Sequence, residues 1–157
     1  MKHIIWLAGI ISIVLAGTSA TAFDFTKGVH GMPWASSISQ YGHLTKIHET
    51  DHAAYYVNSN MLYQVSNQPV PDVIYGFYQQ QFFAVFIKMR SPDQFYQTKQ
   101  RFTARLGQPK ITSNAATKES VYRWKAGDAK IKLKMNDTTK AVKLAIYHIP
   151  LSSKVNQ

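Results

Sequence analysis

The residue pattern of this 157-residue chain predicts an α+β fold: antiparallel sheet with one short and one long helix, in the coarse order α-βββ-α-βββ. Three observations carry that prediction. Polar and apolar residues alternate cleanly after Val121, residues around 91–107 carry helix signals at both ends, and two aromatic and β-branched runs lie back to back between Val73 and Met89.

The first segment is set apart from the rest. Met1-Lys2-His3 is followed by an apolar run from Ile4 to Gly17 and then by Thr18-Ser19-Ala20-Thr21-Ala22, the order of an export signal with a small-residue cleavage box. Residues 1–22 are therefore expected to be a cleaved signal peptide and residues 23–157 a single α+β domain. The apolar run falls short of the ~20 residues a helix needs to cross hydrocarbon. Leu15-Ala16-Gly17 would open a lipid-attachment box if a cysteine followed, but Thr18 stands there. The chain has no cysteine, which excludes a disulfide framework, thiolate zinc and a cysteine nucleophile. In an exported chain this favours a bacterial origin, and the expected location is periplasmic or secreted.

Gly31-Met32-Pro33-Trp34 reads as a turn. Ala35 to Tyr41 then offers two helical turns, with Trp34, Ile38 and Tyr41 on one side and Gly42 as the stop. Beyond a polar stretch, Ala53 to Val57 and Met61 to Val65 read as short strands around Asn58-Ser59-Asn60, and Pro69 and Pro71 break the chain. Val73 to Tyr78 and Phe82 to Met89 form the clearest strand pair, joined by Gln79 to Gln81. In the second strand Phe83, Val85, Ile87 and Met89 are expected on one face, and Phe82, Ala84 and Phe86 on the other. With both faces apolar, that strand is either central and covered or exposes a surface for a partner.

Ser91-Pro92-Asp93 starts the long helix: a capping hydroxyl, a proline where no N–H is needed, and a carboxylate at the positive end of the helix dipole. Phe95, Phe102 and Leu106 recur at helical spacing, and Gly107 followed by Pro109 ends the run. A three-stranded meander follows: Val121 to Lys125, Lys130 to Met135, and Ala141 to Ile149, with turns at Ala126-Gly127-Asp128 and Asn136 to Thr139. Ile131, Leu133 and Met135 oppose Lys130, Lys132 and Lys134, so one sheet face is core and the other carries lysines.

Together the Gly31-Met32-Pro33-Trp34 opening, the Ala54-Tyr55-Tyr56-Val57 strand, Ile74-Tyr75-Gly76-Phe77-Tyr78 and the Phe95 to Gly107 helix ending in Leu-Gly-x-Pro resemble small exported bacterial proteins of unknown function that open on aromatic-Gly-x-x-Trp. Ala35 stands where that group has glycine. A fainter fold-level similarity is to helix-plus-three-strand domains, the BamE-like outer-membrane assembly lipoproteins and secreted β-lactamase-inhibitor proteins. The resemblance implies fold and export, not activity.

Charge is distributed unevenly. From Phe23 to Ile87, Lys27 and Lys46 stand against Asp24, Glu49, Asp51 and Asp72, a balance of −2; from Lys88 to Lys143, 14 basic residues stand against Asp93, Glu119, Asp128 and Asp137, a balance of +10. The meander places Arg123, Lys125, Lys130, Lys132, Lys134 and Lys143 on one sheet face, where neighbouring like charges repel and a polyanion would relieve the cost. The leading expectation is a noncatalytic binding module for an anionic envelope polymer or lipid surface, or for an acidic protein. Nucleic acid is disfavoured, because Tyr122 and Trp124 are expected to face the core rather than stack bases. A structural or assembly accessory protein using the aromatic residues from Tyr55 to Phe86 as an interface is the alternative; the phenylalanines are assigned to the core, and the tyrosines fit either place.

Catalytic patterns are sparse. His48-Glu49-Thr50-Asp51-His52 matches H-E-x-x-H, in which two histidines one helical turn apart hold zinc and the glutamate activates water, which makes a small zinc hydrolase the third reading. Asp51 inside the motif and the strand that follows favour a polar loop. His43, His48 and His52 could instead hold zinc or copper casually at the surface. His148 is expected to be a hydrogen-bonded residue at a strand end. No Gly-x-Ser-x-Gly elbow or phosphate loop occurs, and no cofactor, catalytic residue or dedicated metal ligand is assigned.

Overall fold

The computed structural model describes residues 24–58, 60, 63–65, 68–70, 73–89 and 91–155. The expected signal peptide lies outside them, as do parts of the expected strand Met61 to Val65 and its turn. Among the described residues the strands are β1 (Gly28–Val29), β2 (Met32–Pro33), β3 (Thr45–Glu49), β4 (Ala53–Val57), β5 (Tyr63–Val65), β6 (Gln68–Val70), β7 (Val73–Tyr78) and β8 (Gln81–Met89). Helix α1 (Pro92–Leu106) follows, then β9 (Lys110–Asn114), β10 (Glu119–Ala126), β11 (Ala129–Asn136), β12 (Val142–His148) and α2 (Ile149–Val155). The α+β class and its helix–strand order are those expected.

One eight-stranded antiparallel sheet, ordered β3-β4-β7-β8-β12-β11-β10-β9, joins the two halves of the chain. The seam is β8 against β12, with Ile87 opposite Leu144 and Lys88 opposite Lys143. β1–β2 and β5–β6 form separate two-stranded ribbons. β4 therefore pairs with β3 and β7, not with the segment following Asn60, and Pro69 sits within the small β6 strand rather than simply breaking the chain.

Helix α1 forms where its signals place it. Ser91 Oγ accepts from the Gln94 N–H, Pro92 opens the first turn, and Gly107 at φ 85° takes the left-handed conformation in which a Cβ would be strained. Trp124 Nε1–H donates to the Gly107 carbonyl at 3.0 Å, so the helix end is also tied to β10. Phe95 and Phe102 face inward onto Val85, Ile87, Ile131, Leu133 and Leu144, and Phe25, Val29 and Met32 from the N-terminal ribbon complete this core. Burial of each such side chain stabilises the fold by about 1.5–3 kcal/mol.

The short helix is smaller than its pattern suggested: a single 3-10 turn, Ile38–Gln40. The reason is tertiary. Ala35 has φ 62°, outside the helical range, and the segment's backbone groups bond to the β7–β8 hairpin: Ala35 N–H to Phe82 O, Ile38 N–H to Gln80 O, and Phe82 N–H to Ser36 O, each at 2.9 Å. Trp34, Ile38 and Tyr41 still pack on the core as expected. In the hairpin itself Gln79 and Gln80 both hold positive φ, 45° and 66°, in a two-residue turn of the kind usually built with Asn-Gly.

A second departure lies in β8. Its register slips between Gly76 and Phe77, a β-bulge that reverses the alternation. Phe82 accordingly joins Val85, Ile87 and Met89 in the α1-side core, whereas Phe83 joins Ala84 and Phe86 on the other side. Gly76 accommodates the bulge, since a Cβ there would come within 2.9 Å of the Phe83 ring. The strand is central; Phe82 and Phe83 are core, whereas Phe86 is only half-buried and Lys88 is exposed. The opposite face is covered in part by α2, whose Leu151 packs with Ala53, Phe83 and Ala84.

Candidate anion-binding cleft

Direct cross-strand partners point to the same side of a sheet, so the registers define rows running across the face opposite α1. One row reads His48, Tyr55, Gly76, Ala84, Tyr147, Lys130, Lys125 from β3 to β10. The next reads Val57, Ile74, Phe86, Ala145, Lys132, Arg123. A third begins at Lys88 and runs through Lys143 and Lys134 to Val121. The face is thus apolar and aromatic on the β4–β7–β8 side and cationic on the β12–β11–β10 side.

Over these rows lies a cleft of about 1120 Å³, lined by Tyr55, Val57, Ile74, Phe86, Ala145 and Tyr147 and by Lys88, Arg123, Lys132, Lys134 and Lys143. Its described lining contains no carboxylate. All six cations expected on a common face are on it by register, but only Arg123, Lys132, Lys134 and Lys143 reach the cleft; Lys125 and Lys130 lie at the row end beside the β10–β11 turn. Lys88 joins them. Sequence patterning missed it because β8 reads as an apolar strand and its place beside Lys143 depends on the β8–β12 seam.

The cations are held in different ways. Lys134 Nζ pairs with Glu119 Oε2 at 2.6 Å, and the Arg123 guanidinium donates to Thr112 Oγ1. Lys132 Nζ lies 5.2 Å from the Tyr147 ring centroid, at cation–π range. Partial burial pushes the Lys132 ammonium below the ordinary lysine range, and the neighbouring Lys130, Arg123 and Lys134 charges push it further the same way. An anion placed there would act oppositely. The Tyr147 phenol is raised, first by burial and then by Tyr55. Tyr147 also meets Phe86 edge to face at 5.5 Å, and Tyr55 lies 6.1 Å from Phe86, so three aromatic rings form one wall.

The H-E-x-x-H stretch does not make a zinc site. His48 and Glu49 belong to the edge strand β3, His52 lies in the bend before β4, and the helical turn that would bring the two histidines together is absent. Glu49 accepts from Lys46 at 2.7 Å. Among the described residues no group of three histidine or acidic side chains could hold a metal ion. His148 differs from expectation too: its ring stacks on Trp34 at 5.7 Å, and its buried Nδ1 has no hydrogen-bond partner among the described residues. Trp124 is buried and Tyr122 packs against Phe95 on the α1 side, as expected.

The fold and face define an antiparallel α+β domain with a cleft that is apolar at one end and cationic at the other. No protein-family profile matches the chain, and no curated protein matches it. It is similar to the crystal structure of a DUF4309 family protein (YjgB) from Bacillus subtilis subsp. subtilis str. 168, at 10% identity and a TM-score of 0.44 over 76% of this chain and 83% of that one. No helix among the described residues is long and apolar enough to cross a membrane.

Proposed function

We propose that this chain is an exported, noncatalytic binding protein, periplasmic or secreted, that takes an anionic component of the bacterial envelope into the cleft opposite α1. The observation that carries the reading is the convergence of Lys88, Arg123, Lys132, Lys134 and Lys143 on one cleft without a lining carboxylate. Partial burial and then three neighbours, Lys130, Arg123 and Lys134, already disfavour the charged state of Lys132, and an anion seated among them would offset that repulsion. A recess favours a ligand that enters it over an acidic protein laid across a flat face. Base stacking is disfavoured because Tyr122 and Trp124 turn toward α1, leaving Tyr147 as the aromatic beside the cations.

Export rests on the order of charged, apolar and small residues in 1–22. Retention on heparin and binding to anionic vesicles, each measured against salt, test the binding reading. The triple reversal Arg123→Glu, Lys132→Glu, Lys143→Glu is expected to lower affinity at least tenfold at low salt; unchanged binding by that variant ends the proposal.

A further inference from the structure

The cationic half of the cleft has an apolar half beside it that charge recognition alone leaves unused. We propose that the ligand is a single-chain anionic amphiphile, its hydrocarbon chain lying across Val57, Ile74, Phe86 and Ala145 and its head group meeting Lys132, Arg123 and Lys143. This rests on the reading of the cleft as an anion site and adds the class of ligand.

Three features of the face argue for it. First, the two chemistries are in series along one row: Val57, Ile74, Phe86 and Ala145 are direct cross-strand neighbours, and the next two partners are Lys132 and Arg123. With strands ~4.8 Å apart, the apolar part of the row extends ~14 Å before the first ammonium, the length of a medium-chain acyl group. These four residues remain only half-buried in the fold. Second, the apolar track is one residue wide. On one side Ala84 packs with Leu151 of α2 and Gly76 lies against the bulged Phe83; on the other run Lys88 and Lys143, and rows along a strand are only ~7 Å apart. One chain fits that track and two side by side do not. Third, every strand beneath the row is already paired on both edges, so its backbone offers nothing to an extended peptide, whereas hydrocarbon needs no hydrogen bonds. Ala145 supplies the small side chain where tail passes to head.

The test is calorimetric titration of the full chain with octanoate, decanoate and dodecanoate below micelle formation, with near-ultraviolet circular dichroism to follow folding. Affinity is expected to rise about fourfold per buried methylene until the row is filled, at one ligand per chain. An uncharged dodecyl maltoside is expected to bind at least tenfold more weakly than dodecanoate. Ala145→Phe fills the row from the cleft side and is expected to remove the chain-length dependence, while Lys132→Ser with Arg123→Ser lowers the affinity of all three carboxylates about tenfold at low salt. Equal binding of acetate and dodecanoate, or binding to phosphatidylglycerol vesicles without binding to the monomeric carboxylates, overturns this inference and leaves the anion-site reading standing. Maltoside binding as tight as dodecanoate binding, or no binding of any anion, overturns both.

Discussion

The two faces of β11 share one backbone and one register, and they differ in what their side chains are for. Ile131 and Leu133 are 0% exposed beneath α1, whereas Lys130, Lys132 and Lys134 alternate with them on the opposite face, half-exposed and crowded by like charge. The covered face is close-packed and carries the stability; the open face accepts repulsion that a packed core would not tolerate.

The comparison is sharpened most strongly by truncation on each face. Leu133→Ala is expected to destabilise the domain by about 3–4 kcal/mol, through lost burial and a residual cavity. Its neighbour Lys132→Ala should shift stability by no more than ~0.5 kcal/mol. Urea unfolding of both variants measures this, and similar losses would break the distinction between the faces.

A smaller effect concerns the border of the covered face. His30, at φ 53° in the β1–β2 turn, faces the buried Tyr75 hydroxyl across 3.1 Å, and burial pushes its pKa down from 6.5 to about 4. In that interval the unfolded chain binds the proton that the folded chain refuses. Stability is therefore complete above pH 6.5 and is lost as pH falls toward 4, by about 2 kcal/mol once partial solvent access is allowed for. Denaturation midpoints at pH 7 and pH 4.5 report the slope, and His30→Gln should flatten it.

The β7–β8 hairpin offers a gain instead of a loss. Two glutamines held at positive φ are each less favourable than residues suited to that conformation, and the docked 34–38 segment maintains them. Replacing Gln79-Gln80 by Asn-Gly is expected to raise stability by about 1 kcal/mol, seen as a higher melting temperature. The smallest effect belongs to the open face. Lys132→Met keeps the apolar stem over Tyr147 and removes the charge, so it should stabilise by about 0.3 kcal/mol at low salt, less as salt screens the remaining cations. A destabilised variant would mean that the lysines are not in mutual repulsion.

Much of this was legible before any coordinates. Helix α1 announced itself through Ser91, Pro92 and Gly107 because caps act on their own backbone neighbours, and β11 did so because one covered and one wet face impose period two. The strands β3 and β9 were not legible: all their residues are exposed, so no alternation marks them, and pairing to β4 and β10 alone makes them strands. The C-terminal helix α2 was missed for a related reason, since seven residues are too few to show a helical period and Leu151 gains its partners from strands distant in sequence, Ala53 of β4 and Phe83 and Ala84 of β8 among them.

Composition and spacing alone determined the α+β class, the capped helix, the meander and the side on which its cations stand, all of which follow from interactions within a hairpin or a helical turn. Tertiary structure decided the rest. The joining of both halves at β8 and β12, and the apolar row that thereby meets Lys132 and Arg123, require contacts between residues about 60 apart in sequence. No local propensity encodes such contacts, because their free energy appears only when the chain between them has already closed.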